Sequence, residues 1–166
     1  MLLLEETFNL ASYYHKGQFD KSGSPYIDHP FSVMLRVARD YLWCTEEYLH
    51  IALLHDVLED TNCTEQELIN YGYSEYIIRG LFLLNKHNFP KYTYLEWIRY
   101  IAETEHLGAI TVKLADNLDN SDFNRINKLP EIEKQKFTEM ANNRYKKSIA
   151  ILESKLRELK IISFDI

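Results

Sequence analysis

The sequence has 166 residues, 46% of them apolar, and a formal net charge of −6. That length suits one domain able to bury a real core, and that apolar share excludes a mainly disordered chain. The acidic balance argues against general nucleic-acid binding, which needs clustered Lys and Arg, but leaves room for a small phosphorylated ligand at a locally positive site. No apolar run reaches the roughly 18 residues of a membrane span. The apolar start, Met1 to Leu4, meets Glu5 and Glu6 at once, unlike a signal peptide. Cys44 and Cys63 make neither a disulfide framework nor a thiolate metal site and read as reduced structural residues, so a cytoplasmic address is expected.

Only five glycines and four prolines interrupt long segments with apolar residues three and four apart, the pattern of an all-α fold. A first helix is expected over about residues 2–16, followed by a loop through Gly17, Lys21, Ser22, Gly23 and Pro25, which have turn chemistry. Pro30 suits the first position of a second helix carrying Val33, Met34 and Val37. Thr45 is placed to cap a third, with Glu46 and Glu47 favourable in its first turn and Ile51 to Leu54 strongly apolar. Thr64 with Glu67 reads as a capping box for a short helix stopped by Gly72. Ser74 opens another helix, and Thr93 with Glu96 forms a second capping box. A buried helix is expected from about Leu107 to Asn120, and beyond Pro130 a charged amphipathic stretch runs toward Lys160 as one helix or two. No repeat, low-complexity tract or linker divides the chain, so residues 1–166 are expected to form one helical domain.

The segment His55-Asp56-Val57-Leu58-Glu59-Asp60-Thr61 carries the most chemistry. In a helix, Glu59 lies one turn after His55 and Asp60 one turn after Asp56, so each pair shares a side. Three carboxylates and an imidazole then crowd a helix end, which is unfavourable unless a cation is present or some groups are protonated. A metal is the economical explanation. Two further candidate ligands support it: His29, in Tyr26-Ile27-Asp28-His29-Pro30, and Asp116, in the apolar segment Val112-Lys113-Leu114-Ala115-Asp116. A bare Asp in that setting needs a partner, and imidazole with carboxylate suits Mn²⁺, Fe²⁺, Zn²⁺ or a related ion.

The order His29, His55-Asp56, Asp116 resembles the four-ligand signature of the HD phosphohydrolases. More narrowly, residues 17–30 are similar to the entry loop of the RelA/SpoT hydrolase domains. Ala52 to Thr61 resembles their His-Asp motif with its Glu-Asp extension, and Lys113 to Asn120 their third motif. The likeness spans about residues 8–125, and the single-domain hydrolases are the closest model. It implies that His29, His55, Asp56 and Asp116 hold one Mn²⁺-like ion, and that Glu59 and Asp60 jointly supply the catalytic carboxylates. Lys21 matches a lysine close to the nucleotide phosphates. Asn120, with Ser121 as a weaker neighbour, is placed to hydrogen-bond a ribose, and Arg144 and Tyr145 fall in a segment similar to a nucleotide-facing helix. The bland alternatives are a capping His29, a core His55, a solvated helix end at Glu59 and Asp60, an exposed Lys21, a helix-ending Asn120 and a core Tyr145.

Two departures from the family pattern stand out. Asp20 occupies the position where an arginine stacks on guanine, and an acidic group cannot make that contact, though it can accept hydrogen bonds from a base edge. Asn117 and Asp119 replace a basic residue and a histidine or aromatic one; Asp119 either makes a water-bridged contact near the metal or faces solvent. The expected activity is hydrolysis of the 3′-diphosphate of guanosine tetra- or pentaphosphate, with a small nucleotide as partner rather than nucleic acid or membrane. An HD phosphatase acting on a nucleoside monophosphate or NADPH, and a nucleotide-binding sensor without turnover, are the alternatives.

Overall fold

The computed structural model describes residues 2–159. Helices follow one another along the chain, and among the described residues the extended structure is limited to one bridge between Phe19 and Pro25. The all-α expectation therefore holds. No helix among the described residues is long and apolar enough to cross a membrane.

Helix α1 (Leu4–Tyr14) lies inside the expected span and buries Thr7 and Ala11. Helix α2 (Asp28–Asp40) begins two residues earlier than Pro30. The proline thus sits within the first turn, where its missing N–H is not needed, and His29 joins the helix. Helix α3 (Glu46–Leu54) follows Thr45, whose side chain makes no capping bond. It buries Tyr48, His50, Ile51, Ala52, Leu53 and Leu54, so it has almost no solvent face. Around it lie α1, α2, α6 (Glu75–Leu84) and α8 (Leu107–Asn120). A Cβ added at Gly80 of α6 or Gly108 of α8 would stand 2.8 or 2.9 Å from Ile51 Cδ1, so glycine at both positions permits the close approach of these helices to α3.

The chain does not continue α3 through the His-Asp segment. α3 stops at Leu54, and α4 is a single turn, Val57–Asp60. The His55 Nδ1–H donates to Ala52 O at 2.8 Å, the carbonyl that the Asp56 amide would use in a continuous helix. The expected helix end is therefore a corner, although the Asp60 N–H still bonds Asp56 O at 2.8 Å and keeps that pair one turn apart.

Local signals hold elsewhere. Thr64 and Glu67 form the capping box of α5 (Glu65–Tyr71), which Gly72 closes with φ 97°. Ser74 caps α6, and Thr93 with Glu96 caps α7 (Tyr94–Glu103). A 3₁₀ turn (Lys86–Asn88) and α9 (Phe123–Asn127) were not anticipated. After Pro130 come α10 (Glu131–Met140), a π-helical segment (Ala141–Tyr145) and α11 (Lys146–Glu158), so the tail is two helices joined by a wide turn; Lys160 lies outside the described residues. α11 packs on α7 and α8 through Leu152 and Leu156, while α9 and α10 are bound by a smaller apolar group of Ile126, Phe137, Met140, Ala141, Tyr145 and Tyr94.

Helix α8 carries Asp116, and its start depends on a histidine. His106 Nδ1 accepts the Ala109 N–H at 3.1 Å while Nε2–H donates to Tyr76 O at 2.9 Å, and the ring stacks on Tyr76 with centroids 4.0 Å apart. Acceptance by Nδ1 needs the neutral ring, and burial pushes its pKa below 6.5. The unfolded chain then binds the extra proton, so this stabilisation is complete above pH 6.5 and is lost as pH falls toward the folded value. In urea titrations the stability advantage of wild type over His106→Asn should shrink below pH 6.5; an advantage that grew there would refute the neutral-cap account.

Candidate metal and phosphate site

Three helices bring the candidate ligands together. α2 supplies His29 from its first turn, the corner after α3 supplies His55 and Asp56, and α8 supplies Asp116 from its buried face. His29 Nε2 is 3.2 Å from Asp116 Oδ1 and 3.8 Å from Asp56 Oδ2. His55 Nε2 is 3.1 Å from Asp56 Oδ2 and 3.9 Å from Asp116 Oδ1. His29, His55 and Asp116 are all buried, and each offers a ligand atom within 4.8 Å of the others.

The second nitrogen of each ring is already committed. His55 Nδ1–H donates to Ala52 O, and His29 Nδ1–H donates to Asp119 Oδ2 at 2.9 Å. Both Nε2 lone pairs therefore face the carboxylates, and His55 Nε2 is buried with no hydrogen bond. Burial alone would lower the His55 pKa, but the charges of Asp56 and Asp116 push it up to about 9, and His29 is likewise raised above its ordinary value. Asp116 and Asp56 are held well below the usual carboxylate range, against their burial, by Lys113 and His29 for the first and by His55 for the second. The cluster demands positive charge. Two fixed imidazole lone pairs beside carboxylate oxygens are a donor set that fits a divalent cation.

Supporting contacts surround the cluster. Lys113 Nζ donates to Asp116 Oδ2 at 2.9 Å and lies 4.6 Å from the Trp97 ring centroid. Asn120 Nδ2 donates to Asp116 Oδ1 at 2.5 Å. Asp119 does not face solvent. It is buried directly behind His29 and also accepts from Ser32 Oγ at 2.6 Å and from Arg125. Arg125 Nη1 lies beside His29 Nδ1 as well; both carry protons toward Asp119, so the carboxylate is their shared acceptor.

Glu59 and Asp60 are near this cluster but differently held. Glu59 Oε2 accepts the Lys86 N–H at 2.7 Å, whereas Asp60 Oδ2 accepts from Tyr26 Oη at 3.0 Å. With His29, Asp56 and Asp116 they border a cavity of about 580 Å³ whose other walls carry Lys21, Lys113, Arg125 and Arg144. Phe19, Ile126, Leu129, Phe137 and Met140 make its apolar side. Lys21 Nζ sits 3.6 Å from Glu133 Oε2 and 4.7 Å from the Phe137 ring centroid. The Arg144 guanidinium lies 3.7 Å over the Tyr94 ring, and Tyr145 is buried at the cavity wall.

Some sequence expectations are not met here. Ser121 does not reach the cavity; its hydroxyl donates back to Asn117 O at 2.7 Å and closes α8. Asp20 does line the cavity, but its Oδ1 is spent on the loop itself, accepting from Ser22 N–H, Ser22 Oγ and Ser24 N–H at 2.8, 2.7 and 3.0 Å. Sequence reasoning missed Tyr26, Tyr94 and Arg125 as cavity residues and gave Lys113 no role of its own. Lys113 had a signal, standing three residues before Asp116 on one helix face. Arg125 had none, since it meets His29 across 96 residues of chain.

No protein-family model matches the chain. Its sequence is 38% identical over 112 residues to a Haemophilus influenzae protein named guanosine-3′,5′-bis(diphosphate) 3′-pyrophosphohydrolase, covering 64% of this chain and 16% of that one. It is 34% identical over 121 residues to the Aquifex aeolicus protein of the same name, covering 70% and 17%. It is 36% identical over 126 residues to the Escherichia coli bifunctional (p)ppGpp synthase/hydrolase SpoT, again covering 70% and 17%. The chain thus spans about a sixth of the length of these curated relatives. A solved structure described as a metazoan ortholog of SpoT that hydrolyses ppGpp superposes with a TM-score of 0.67 at 19% identity, covering 96% of each chain, a likeness of fold. The structural likeness is one of all-helical fold, within which His29, His55 and Asp116 form a group that could hold a metal ion. In sequence, about two thirds of the chain is similar to part of proteins named as (p)ppGpp hydrolases, SpoT among them.

Asp119 fixes the His29 ring, so Asp119→Asn should weaken divalent-metal affinity about 10- to 100-fold in a calorimetric Mn²⁺ titration. An affinity equal to that of wild type would show that this carboxylate does not orient His29.

Proposed function

We propose that this domain hydrolyses the 3′-diphosphate of guanosine tetra- or pentaphosphate in the cytoplasm, releasing pyrophosphate and GDP or GTP. The observation that carries the reading is that the cavity bordered by His29, Asp56 and Asp116, with His55 buried beside them, also carries Glu59, Asp60 and four cationic side chains. The names of the sequence relatives support the choice of substrate. We assign His29, His55, Asp56 and Asp116 as ligands of one Mn²⁺ ion. Bound there, such an ion supplies a Lewis acid for a phosphoryl oxygen and a water acidic enough to react near neutral pH.

The chain's own groups account for the remaining steps. Water adds to the phosphorus attached to the 3′-oxygen, the P–O3′ bond breaks, and the 3′-oxygen leaves with a proton. Asp60 and Glu59 are the carboxylates placed to take the proton of the attacking water. Lys21, Lys113 and Arg144 offset the charge on the diphosphate, and cations fixed in advance need no reorganisation as that charge develops. The apolar wall of Ile126, Leu129, Phe137 and Met140 suits the base, and Asn120, at the end of α8, faces the cavity where a ribose hydroxyl would lie. A cavity of about 580 Å³ is of the size that holds a nucleotide.

One observation favours a second reading. The cavity is lined by Asp20 where the resemblance implies an arginine that stacks on guanine, which is compatible with a nucleoside monophosphate or NADPH. Product analysis separates the two. With Mn²⁺ the protein should release pyrophosphate from guanosine tetraphosphate, and Glu59→Gln or Asp60→Asn should each slow release about 100-fold or more. Orthophosphate from the other nucleotides with no pyrophosphate would establish the second reading; binding without turnover would make the domain a sensor.

A further inference from the structure

Tyr26 stands in the entry loop, two residues before α2, and nothing in the motif that contains it gives it a part in the chemistry. Its phenolic oxygen is 2.8 Å from Asp56 Oδ2 and 3.0 Å from Asp60 Oδ2. One O–H proton thus serves two carboxylates on opposite ends of the single turn α4, as a three-centre hydrogen bond. Asp56 Oδ2 is the oxygen that faces both imidazoles. Among the described residues Tyr26 is the one hydrogen-bond donor to the Asp60 carboxylate. Glu59 lacks this link and is held instead by the Lys86 N–H.

The phenol is itself held from behind. The Tyr26 ring lies 4.8 Å from the His15 ring, and its N–H donates to Gln18 O at 3.0 Å. Gln18 accepts from His15 Nδ1 through Oε1 at 2.8 Å and donates through Nε2 to Asp60 O at 2.9 Å. The loop therefore grips Asp60 at its backbone through Gln18 and at its carboxylate through Tyr26. Two anionic groups so placed repel unless a donor stands between them.

We propose that Tyr26 is a positioning residue that ties the Asp56 carboxylate, on the metal side, to the Asp60 carboxylate, on the water side. This rests on the hydrolase reading and refines it. The link sets Asp60 apart from Glu59 as the carboxylate oriented in register with the cluster. A tyrosine kept only for its ring would tolerate loss of the hydroxyl, because phenylalanine retains the packing on His15.

Tyr26→Phe is therefore the informative variant. It should bind Mn²⁺ about tenfold more weakly in a calorimetric titration and turn over guanosine tetraphosphate about tenfold or more slowly, with KM and thermal midpoint close to wild type. In an Asp60→Asn background, adding Tyr26→Phe should slow turnover little further, since the two residues act as one unit. Wild-type turnover and Mn²⁺ affinity in Tyr26→Phe would overturn the inference, as would an undiminished loss of turnover in the Asp60→Asn background. If wild type turns over no nucleotide, the hydrolase reading fails on its own, and the Mn²⁺ titration still decides whether Tyr26 supports the cluster.

Discussion

The structure turns on one electrostatic constraint: carboxylates buried where three helices meet must be matched by positive charge. Asp116 is buried in α8, and Asp56 lies on the corner beside it, with His29 Nε2 within 3.2 Å of the first and 3.8 Å of the second. An uncompensated buried charge is among the most destabilising features a fold can carry. The neighbourhood is built around meeting that demand. Lys113 neutralises one oxygen of Asp116, Asn120 donates to the other, and both imidazoles present their free nitrogens. A divalent cation is the species that satisfies two carboxylates and two neutral imidazoles together.

That constraint explains why the corner at His55 exists. A straight continuation of α3 would leave the ring free to rotate; the bond to Ala52 O fixes it and ends the helix in one move. The same economy appears in α8, where Asp116 enters the cluster while Asp119, three residues on, stands behind His29 and holds its other nitrogen. Asp119 is itself held low, to about 2, because hydrogen bonds from His29 and Ser32 and the Arg125 charge outweigh its burial. The entry loop and α9 add the outer supports, through Tyr26 and Arg125. The charged end of the cavity is thus braced by contacts from well-separated parts of the chain, while its apolar side comes from Ile126, Leu129, Phe137 and Met140.

How much of this was legible in the sequence depended on the range of the interactions involved. Capping boxes at Thr64 and Thr93 and the left-handed Gly72 are local devices, and the helices they bound fall where expected. The span Leu107–Asn120 was readable from apolar spacing, although its N-cap is the imidazole of His106 rather than a common capping residue. The corner after Leu54 was hidden because it depends on a side chain capturing a carbonyl, not on Gly or Pro. The convergence of His29 with Asp116 could be anticipated from the resemblance to the HD signature, but the placing of Tyr26, Arg125 and Asp119 could not. Those residues meet their partners across 30, 96 and 90 positions, a separation that no periodicity records. Ser121 was misplaced for the opposite reason, a helix-ending hydroxyl preferring the carbonyl of Asn117 on its own last turn.

The most direct test of the central claim is anomalous diffraction from crystals of the protein soaked in Mn²⁺. A single strong peak bounded by His29 Nε2, His55 Nε2, Asp56 and Asp116 is the result this account requires. A peak bound elsewhere, or none at that position with all four side chains ordered, would contradict it.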